Sequence, residues 1–308
     1  MNYAIVSNQA IASGTRISGF AWIDITRINM SCSSVNNQTI ASGKRTSGFA
    51  TSLEELDTAD LVRFLATVIK RATLHCSIWF DEVQHQAGLD EALIVERNVA
   101  KLLFPIVTRR IAGVIEDHLT GGPVSFSDMP QDKMIKLIDA LCLNWLTADG
   151  VWFQSIENRH DMWTSKLCND AGWMKFSPLE AHIIQSFLGL PYHAGLEGLK
   201  RALEFRLCSR INQQNIEISD NSLILRTTNC RVQNARKRKG LQEYPCRSAG
   251  LAEYTTFASV IDSRINTECL GCPPYNGSSD WACAWKFSIT DLQHGLDHEH
   301  DVKYTPCC

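Results

Sequence analysis

An internal duplication constrains the fold of this chain more than any other feature of its sequence. The segment LVRFLATVIKRATLHCSIWFDEVQHQAG (61–88) aligns without gaps on MIKLIDALCLNWLTADGVWFQSIENRHD (134–161), at an offset of 73 residues. The register is kept at three matched pairs: Trp79 and Trp152, Phe80 and Phe153, Pro105 and Pro178. Both copies place apolar residues at the spacing of an amphipathic helix. The sequence predicts two related helical units, over 51–120 and 131–213, that pack on each other or around a shared pseudo-symmetry axis.

A shorter repeat occupies the N-terminal 50 residues. NQAIASGTRISGFA (8–21) recurs as NQTIASGKRTSGFA (37–50), with eleven of fourteen positions identical. Repeat architectures need about three copies to bury a core, so two copies predict an irregular or disordered extension over 1–50. At the other end, the polar segment 291–308 is expected to be a frayed tail.

Composition excludes several classes of protein. Apolar residues make up 44% of the chain and charged residues 20%, which is typical of a globular protein. The net charge of −3 argues against nucleic-acid binding. No apolar run approaches the ~20 residues that span a membrane, and no basic start precedes an apolar stretch. With these features, the twelve cysteines are expected to be reduced thiols in the cytoplasm.

The pattern changes after the helical units. NIEISDNSLILRTTNC alternates on both sides of Asp220-Asn221, which predicts a β-hairpin. GLAEYTTFASVID favours a short helix and CAWKFSIT a strand. Upstream, Ser177, Pro178 and Glu180 have the spacing of a capping box, which predicts a helix beginning near Pro178. The predicted fold is α+β, with duplicated helical units followed by a small metal-stapled α+β domain over 214–290.

Four cysteines in this domain have the spacing of a metal site. Cys269 and Cys272 form a C-x-x-C pair, with Cys246 before it and Cys283 after it. Four thiolates are the ligand set of a structural zinc, and an iron–sulfur cluster is the alternative. The competing interpretation is that these cysteines are buried and pack as small hydrophobic residues.

Cys230 is a fifth thiol, followed by Arg231 and with Gln233 and Arg236 nearby. A cation near a thiol lowers its pKa, which would suit a nucleophile, and Arg231 or Arg236 could hold a substrate carboxylate. The alternatives are a fifth thiol beside the metal or a packed thiol. The basic run 236–239 is interpreted as a solvated turn or an anion-binding rim.

One helical face of the second copy combines polar and aromatic residues. It carries Asp149, Trp152, Phe153 and Glu157 at i, i+3, i+4 and i+8. These residues are candidates for a wall that binds an aromatic ligand, although Trp152 and Phe153 also fit a core stripe. The first copy has Cys76 in place of Asp149 and Gln84 in place of Glu157, which indicates that only the second copy keeps a polar function.

Five motifs point to a family. DGVWF, NCRVQNARKRKGLQEYPC, FASVIDSRI, CLGCPP and CAWKF resemble cytosolic prokaryotic proteins that are often labelled L-2-amino-thiazoline-4-carboxylic acid hydrolase-like, over roughly 131–290. The cysteine spacing also looks like the zinc site of vinyl-reductase-type (4-vinyl reductase) domains, in which the position matching Cys269 is commonly Glu. This resemblance implies an α+β domain, a structural zinc and binding of small apolar or aromatic molecules. The hydrolase label implies opening of a cyclic C=N bond.

The leading hypothesis is a zinc-stapled, small-molecule-binding protein of the vinyl-reductase-like type, with its pocket between the hairpin and the helices. The alternative is a C–N hydrolase of a cyclic amidine or amide, with Cys230 as nucleophile and Arg231 as carboxylate clamp. A second alternative is an interaction module in which the duplicated helices form a homodimer interface.

Overall fold

The computed structural model of the protein describes residues 50–115, 125–274 and 280–289. The short N-terminal repeat, apart from Ala50, and the C-terminal tail lie outside these residues. No described helix combines the length and the apolar character that crossing a membrane requires. The chain has an α+β fold, as the sequence predicts, with the helices first and a small sheet at the C-terminal end.

Seven α-helices and four β-strands make up the described part of the fold. The helices are α1 (Thr58–Ala87), α2 (Leu89–Ile115), α3 (Gln131–Arg159), α4 (Met162–Leu188), α5 (Gly195–Glu204), α6 (Arg231–Arg238) and α7 (Arg247–Ile261). The strands are β1 (Gln213–Ser219), β2 (Ser222–Asn229), β3 (Ile265–Gly271) and β4 (Cys283–Ile289). All neighbouring strands are antiparallel, in the order β1-β2-β4-β3.

The duplication in the sequence recurs in the helices. α1 begins at Thr58 and α3 at Gln131, and α2 begins at Leu89 and α4 at Met162, so both pairs keep the offset of 73 residues. One residue separates the helices of the first pair and two separate those of the second. Connections this short make consecutive helices antiparallel neighbours. The first four helices therefore form two equivalent helical hairpins.

The hairpins pack with α1 against α2, α3 and α4, and with α2 against α3. At the centre, the indole rings of Trp79 and Trp152 stack with centroids 6.3 Å apart and planes 8° from parallel. These two residues are equivalent in the two copies, and both are buried. A pseudo-twofold axis between the hairpins would bring equivalent residues face to face in this way. Trp152 is therefore part of the core.

One prediction about the second hairpin is wrong. α4 runs continuously through Pro178, whereas the sequence pattern predicted that a helix would begin there. Asp161 caps α4 and accepts a backbone hydrogen bond of 2.7 Å from the first turn. The Ser177 hydroxyl donates instead to the carbonyl of Glu253 in α7, at 2.5 Å. A proline costs an interior helix one hydrogen bond, and here the packing of a long buried helix outweighs that cost.

A buried chain of alternating charges crosses the interior. Glu180 of α4 accepts hydrogen bonds from Arg71 Nη1 of α1 at 3.3 Å and from Arg206 Nε at 2.9 Å. Arg206 Nη1 in turn lies 2.6 Å from an Oε1 oxygen of Glu253 in α7. Arg71, Glu180 and Arg206 are each at most 1% exposed. Charges buried to this extent persist only when they are paired, so the chain of ion pairs fixes α1, α4 and α7 relative to one another.

The sheet covers α5 and α7 with its inner face. Leu225 of β2 and Trp285 and Phe287 of β4 are buried on that face. The β1–β2 hairpin, α7 and β4 lie where the sequence predicts them. The sequence pattern missed β3 and α6. β3 places Cys269 opposite Trp285.

Gly250 of α7 allows the close approach of the sheet. A Cβ at this position would overlap the Trp285 ring, with Cη2 at 2.9 Å. We expect Gly250→Ala to lower the free energy of unfolding by about 1–3 kcal/mol, because a buried indole ring has no room to move. Gly113→Ala is the control, since its Cβ would meet nothing within 4 Å. That variant should be neutral or more stable by about 0.5–1 kcal/mol in denaturant unfolding. Equal stabilities of the two variants would contradict the role of Gly250.

Candidate functional site

A cavity of about 460 Å³ lies between the second helical hairpin and the C-terminal elements. We call it the central cavity. Its walls come from α3, α4, α6, α7, β2 and β4, and α2 forms one edge. Its volume falls within the range of about 300–1,000 Å³ that small-molecule sites occupy. The apolar and aromatic lining includes Leu143, Trp145, Phe153, Trp173, Tyr244, Tyr254 and Trp285.

Asp149 of α3 reaches the wall of the central cavity from a buried polar network. Its Oδ1 accepts a hydrogen bond of 3.0 Å from the indole N–H of Trp79. His75 Nε2 lies 3.8 Å from the same oxygen. The indole N–H of Trp145 donates to His75 Nδ1 at 2.8 Å. Because Nδ1 accepts, neutral His75 carries its proton on Nε2, on the side that faces Asp149.

Burial sets the protonation of this pair. It raises the pKa of Asp149 from 3.8 to about 7, with a smaller contribution from the charge of Glu253, and the Trp79 hydrogen bond opposes the rise. Burial also lowers the pKa of His75 to about 3. Near neutral pH, His75 is therefore neutral, whereas the Asp149 carboxyl group is protonated in some molecules and ionised in others. A carboxyl group in this condition at a cavity wall can accept a hydrogen bond from a ligand or donate one to it.

Among its described residues, the first copy of the duplication places no carboxyl group at the wall. Cys76, the counterpart of Asp149, interacts with the Trp152 side chain in the way that Asp149 interacts with Trp79. Cys76 is not among the residues that line the central cavity. The two copies thus share a frame, and only the second presents a carboxyl group to the cavity.

Four of the five cysteines singled out in the sequence line one end of the central cavity: Cys230, Cys246, Cys272 and Cys283. All five are free thiols. Cys230 and Cys246 immediately precede α6 and α7, and Cys283 is the first residue of β4. Cys269 lies on the inner face of β3, next to Cys272. The fold therefore gathers thiols that are far apart in the sequence.

The thiols interact directly. The Cys272 thiol donates a hydrogen bond to the Cys283 sulfur, which raises the pKa of Cys272 and lowers that of Cys283. Cys246 accepts a hydrogen bond of 3.0 Å from Gln233 Nε2. Within the described ranges, no three His, Cys, Asp or Glu side chains are arranged so that they would hold a metal ion. The four predicted metal ligands therefore lie near one another, but their side chains are not arranged around a common metal position.

Cys230 differs from the sequence-based expectation. Burial raises its pKa, and nearby backbone N–H groups of α6 only partly oppose the rise. The arginines that follow it were expected to lower this pKa, but the main influences on the thiol are burial, the α6 backbone, Cys283 and Glu253. Arg231 points to the rim of the cavity and is exposed. A thiol with a raised pKa is a weak nucleophile at neutral pH.

Three other predicted site residues hold the wall together. Arg236 forms a two-pronged ion pair with Glu157, at 2.8 and 3.0 Å, and is buried. Arg236 therefore lies paired in a helix, so the prediction of a solvated turn over 236–239 is wrong for this residue, whereas exposed Arg238 and Lys239 border the cavity. Gln233 hydrogen-bonds both the backbone N–H and the carbonyl of Tyr244. These contacts fix the segment between α6 and α7.

Sequence reasoning missed three residues of the wall: Arg110, Tyr244 and Glu253. Arg110 comes from α2, and its guanidinium donates to Asn144 and Thr147 of α3. Tyr244 accepts a hydrogen bond of 2.6 Å from Asn169. Each of these contacts joins elements that are distant in the sequence, so no local pattern marks them.

A family model described as "Family of unknown function (DUF6125)" matches residues 127–289, which is more than half of the chain. The chain belongs to this family. No curated protein and no solved structure matches it. The family region runs from just before α3 to the end of β4, so it contains all five cysteines and Asp149. The first hairpin lies outside it, yet contributes His75, Trp79 and Arg110 to the site.

The raised pKa of Asp149 predicts a specific dependence of stability on pH. Its folded pKa of about 7 lies above the ordinary value of 3.8, so the folded state holds the proton longer than the unfolded state does. The free energy of unfolding of the wild type therefore falls as pH rises from about 4 to about 7, because the folded state ionises Asp149 less readily. We expect Asp149→Asn to gain stability over the wild type across this range, by an amount on the order of 2 kcal/mol at pH 8.

Urea unfolding between pH 4 and pH 8 measures this difference. Asp81→Asn is the control, because hydrogen bonding to Lys175 lowers the pKa of exposed Asp81. Its contribution is present above the unfolded pKa of 3.8 and is lost only below it, so between pH 4 and pH 8 that variant should be less stable than the wild type by a nearly constant amount. A difference between Asp149→Asn and wild type that is constant from pH 4 to pH 8 would count against a titrating Asp149.

Proposed function

We propose that this protein binds a small organic molecule in the central cavity and that its thiol cluster holds a structural metal. The observation that carries the binding proposal is the cavity itself, which has a ligand-sized volume and a lining of aromatic side chains with a few polar groups. Ligand sites typically combine an apolar wall with a small number of placed polar groups. Asp149 supplies one such group. This function corresponds to the vinyl-reductase-like type that the sequence motifs resemble.

Cys246, Cys269, Cys272 and Cys283 are the proposed ligands of the metal, with zinc first and an iron–sulfur cluster as the alternative. Their chemistry supports this choice, since four reduced thiols are the donor set of a structural zinc. The contacts of Cys272 with both Cys269 and Cys283 also support it. The backbone N–H of Cys246 bonds to the Pro273 carbonyl at 3.2 Å, which holds the C-x-x-C segment against α7. A bound metal would hold the cavity's end wall together.

The hydrolase alternative has less support. Its nucleophile, Cys230, has a pKa that burial raises. None of the residues that line the described cavity is a histidine, which a thiol of this kind needs as a base. Its carboxylate clamp, Arg231, stays available at the rim and serves a binding protein equally well.

A fluorescent neutral dye, N-phenyl-naphthylamine, tests the binding function. We expect saturable binding to the intact chain at one site, with micromolar affinity. Ala235 of α6 lines the cavity, so Ala235→Trp should fill it and weaken dye binding at least tenfold. Ala252→Trp is the matched control, since Ala252 is outside the cavity wall on α7. Equal dye binding by both variants and wild type would refute the cavity as the site.

Elemental analysis of purified protein tests the metal. We expect about one zinc per chain in the wild type and its loss, together with stability, in Cys272→Ser. Cys168→Ser is the control, because Cys168 is as buried as Cys272, at 1% and 2% exposure, and lies in α4 away from the cluster. Iron found together with sulfide would identify the metal as an iron–sulfur cluster and not zinc. Metal-free wild type, or equal metal in both variants, would refute the metal site.

A further inference from the structure

The charges of the central cavity are separated in space. Two carboxyl groups that line it, those of Asp149 and Glu253, are only 16% and 14% exposed. Glu253 is already neutralised by Arg206 at 2.6 Å. Cationic side chains collect where the cavity opens: Arg110 from α2, Arg231 and Arg238 from α6, and Lys239, which follows α6. The last three are exposed, which identifies this side as the mouth.

Arg110 and Arg231 both line the central cavity and also border a smaller recess beside it. The charge of Arg231 adds to burial in lowering the pKa of the Arg110 guanidinium, so the two cations repel each other. Arg110 is held in place by the neutral oxygens of Asn144 and Thr147. In the part of the chain that the structure describes, neither arginine forms an ion pair.

The neighbouring arginines are different. Arg236 is paired with Glu157, at 2.8 Å, and Arg210 with Asp139, at 2.7 Å. Arg210 and Asp139 line a smaller recess that Arg110 and Arg231 also border. Arg236 and Arg210 are therefore paired with carboxylates within the fold. In the described residues, Arg110 and Arg231 at the mouth have no carboxylate partner. An anion that enters between them would relieve the repulsion and form charge-assisted hydrogen bonds.

We propose that the central cavity recognises an organic acid. Its carboxylate or similar anionic group binds Arg110 and Arg231 at the mouth, and its apolar body lies inward against Phe153, Tyr254 and Trp285. The arrangement of charges orients the ligand, because an anionic group directed inward would approach the Asp149 carboxyl group and lie away from Arg110 and Arg231. This inference rests on the proposed small-molecule function and specifies the ligand class of the same site.

Two dyes of similar aromatic shape test the proposal on the full-length chain. Anilinonaphthalene sulfonate carries an anionic group, whereas N-phenyl-naphthylamine is neutral. We expect wild type to bind the sulfonate more tightly than the neutral dye. Arg110→Gln and Arg231→Gln should each weaken sulfonate binding about tenfold, and the double variant more, while the affinity for the neutral dye stays within twofold. That unchanged affinity also shows that the variants fold with an intact cavity.

Lys237→Gln is the matched control, because it removes one exposed charge from the same helix at a position outside the cavity wall. It should leave both affinities unchanged. If both dyes bind but the arginine variants bind the sulfonate as the wild type does, the organic-acid proposal is wrong and the binding function survives. If the lysine variant weakens sulfonate binding as much as the arginine variants do, the weakening comes from the loss of positive charge anywhere on the helix, and the proposal is again wrong. If neither dye binds, both proposals fall.

Discussion

The buried ion pairs of Arg71, Glu180, Arg206 and Glu253 are the interaction on which the rest of this structure depends. Two cations and two anions alternate, so the interior carries no net charge from them. Glu180 also accepts the backbone N–H of Leu207 at 3.0 Å, and Arg206 lies over the Phe257 ring at 4.6 Å from its centroid. Removing one member would leave its partner charged and buried, which costs about 3–5 kcal/mol in other proteins. The chain of pairs thus joins both hairpins to α7, which forms one wall of the cavity.

The duplication explains how the site became asymmetric within a symmetric frame. Trp79 and Trp152 stack at the pseudo-twofold axis. Each indole interacts with the residue that lies three positions before the tryptophan of the other copy. That position is Cys76 in one copy and Asp149 in the other. The C-terminal elements cover only the side on which Asp149 lies, so that carboxyl group meets the cavity. The residue at this one position of the repeated unit, Cys76 or Asp149, therefore decides which copy presents a carboxyl group to the cavity.

Local patterns predicted the elements well and the contacts poorly. The hairpin at Asp220-Asn221, α7, β4 and the repeated helices follow from periodicity and turn chemistry, which act over a few residues. Glu180 shows the limit, because its spacing from Ser177 matches a capping box, yet it pairs with Arg71, 109 residues away. Arg110 was missed for the same reason, since its cavity role depends on α2 lying beside α3. The cysteines were found because their chemistry is rare enough to signal a cluster without knowledge of the fold.

The two parts of the candidate site come from different parts of the chain. The thiols, Asp149 and the α6 cations lie inside the region that the family model matches, whereas Arg110, His75 and Trp79 come from the first hairpin outside it. The family region supplies the thiol end, and the first hairpin supplies Arg110 and the donors around Asp149. A ligand that spans the cavity would contact both. Its selectivity would therefore depend on the hairpin, while the shape of its pocket would depend on the family region.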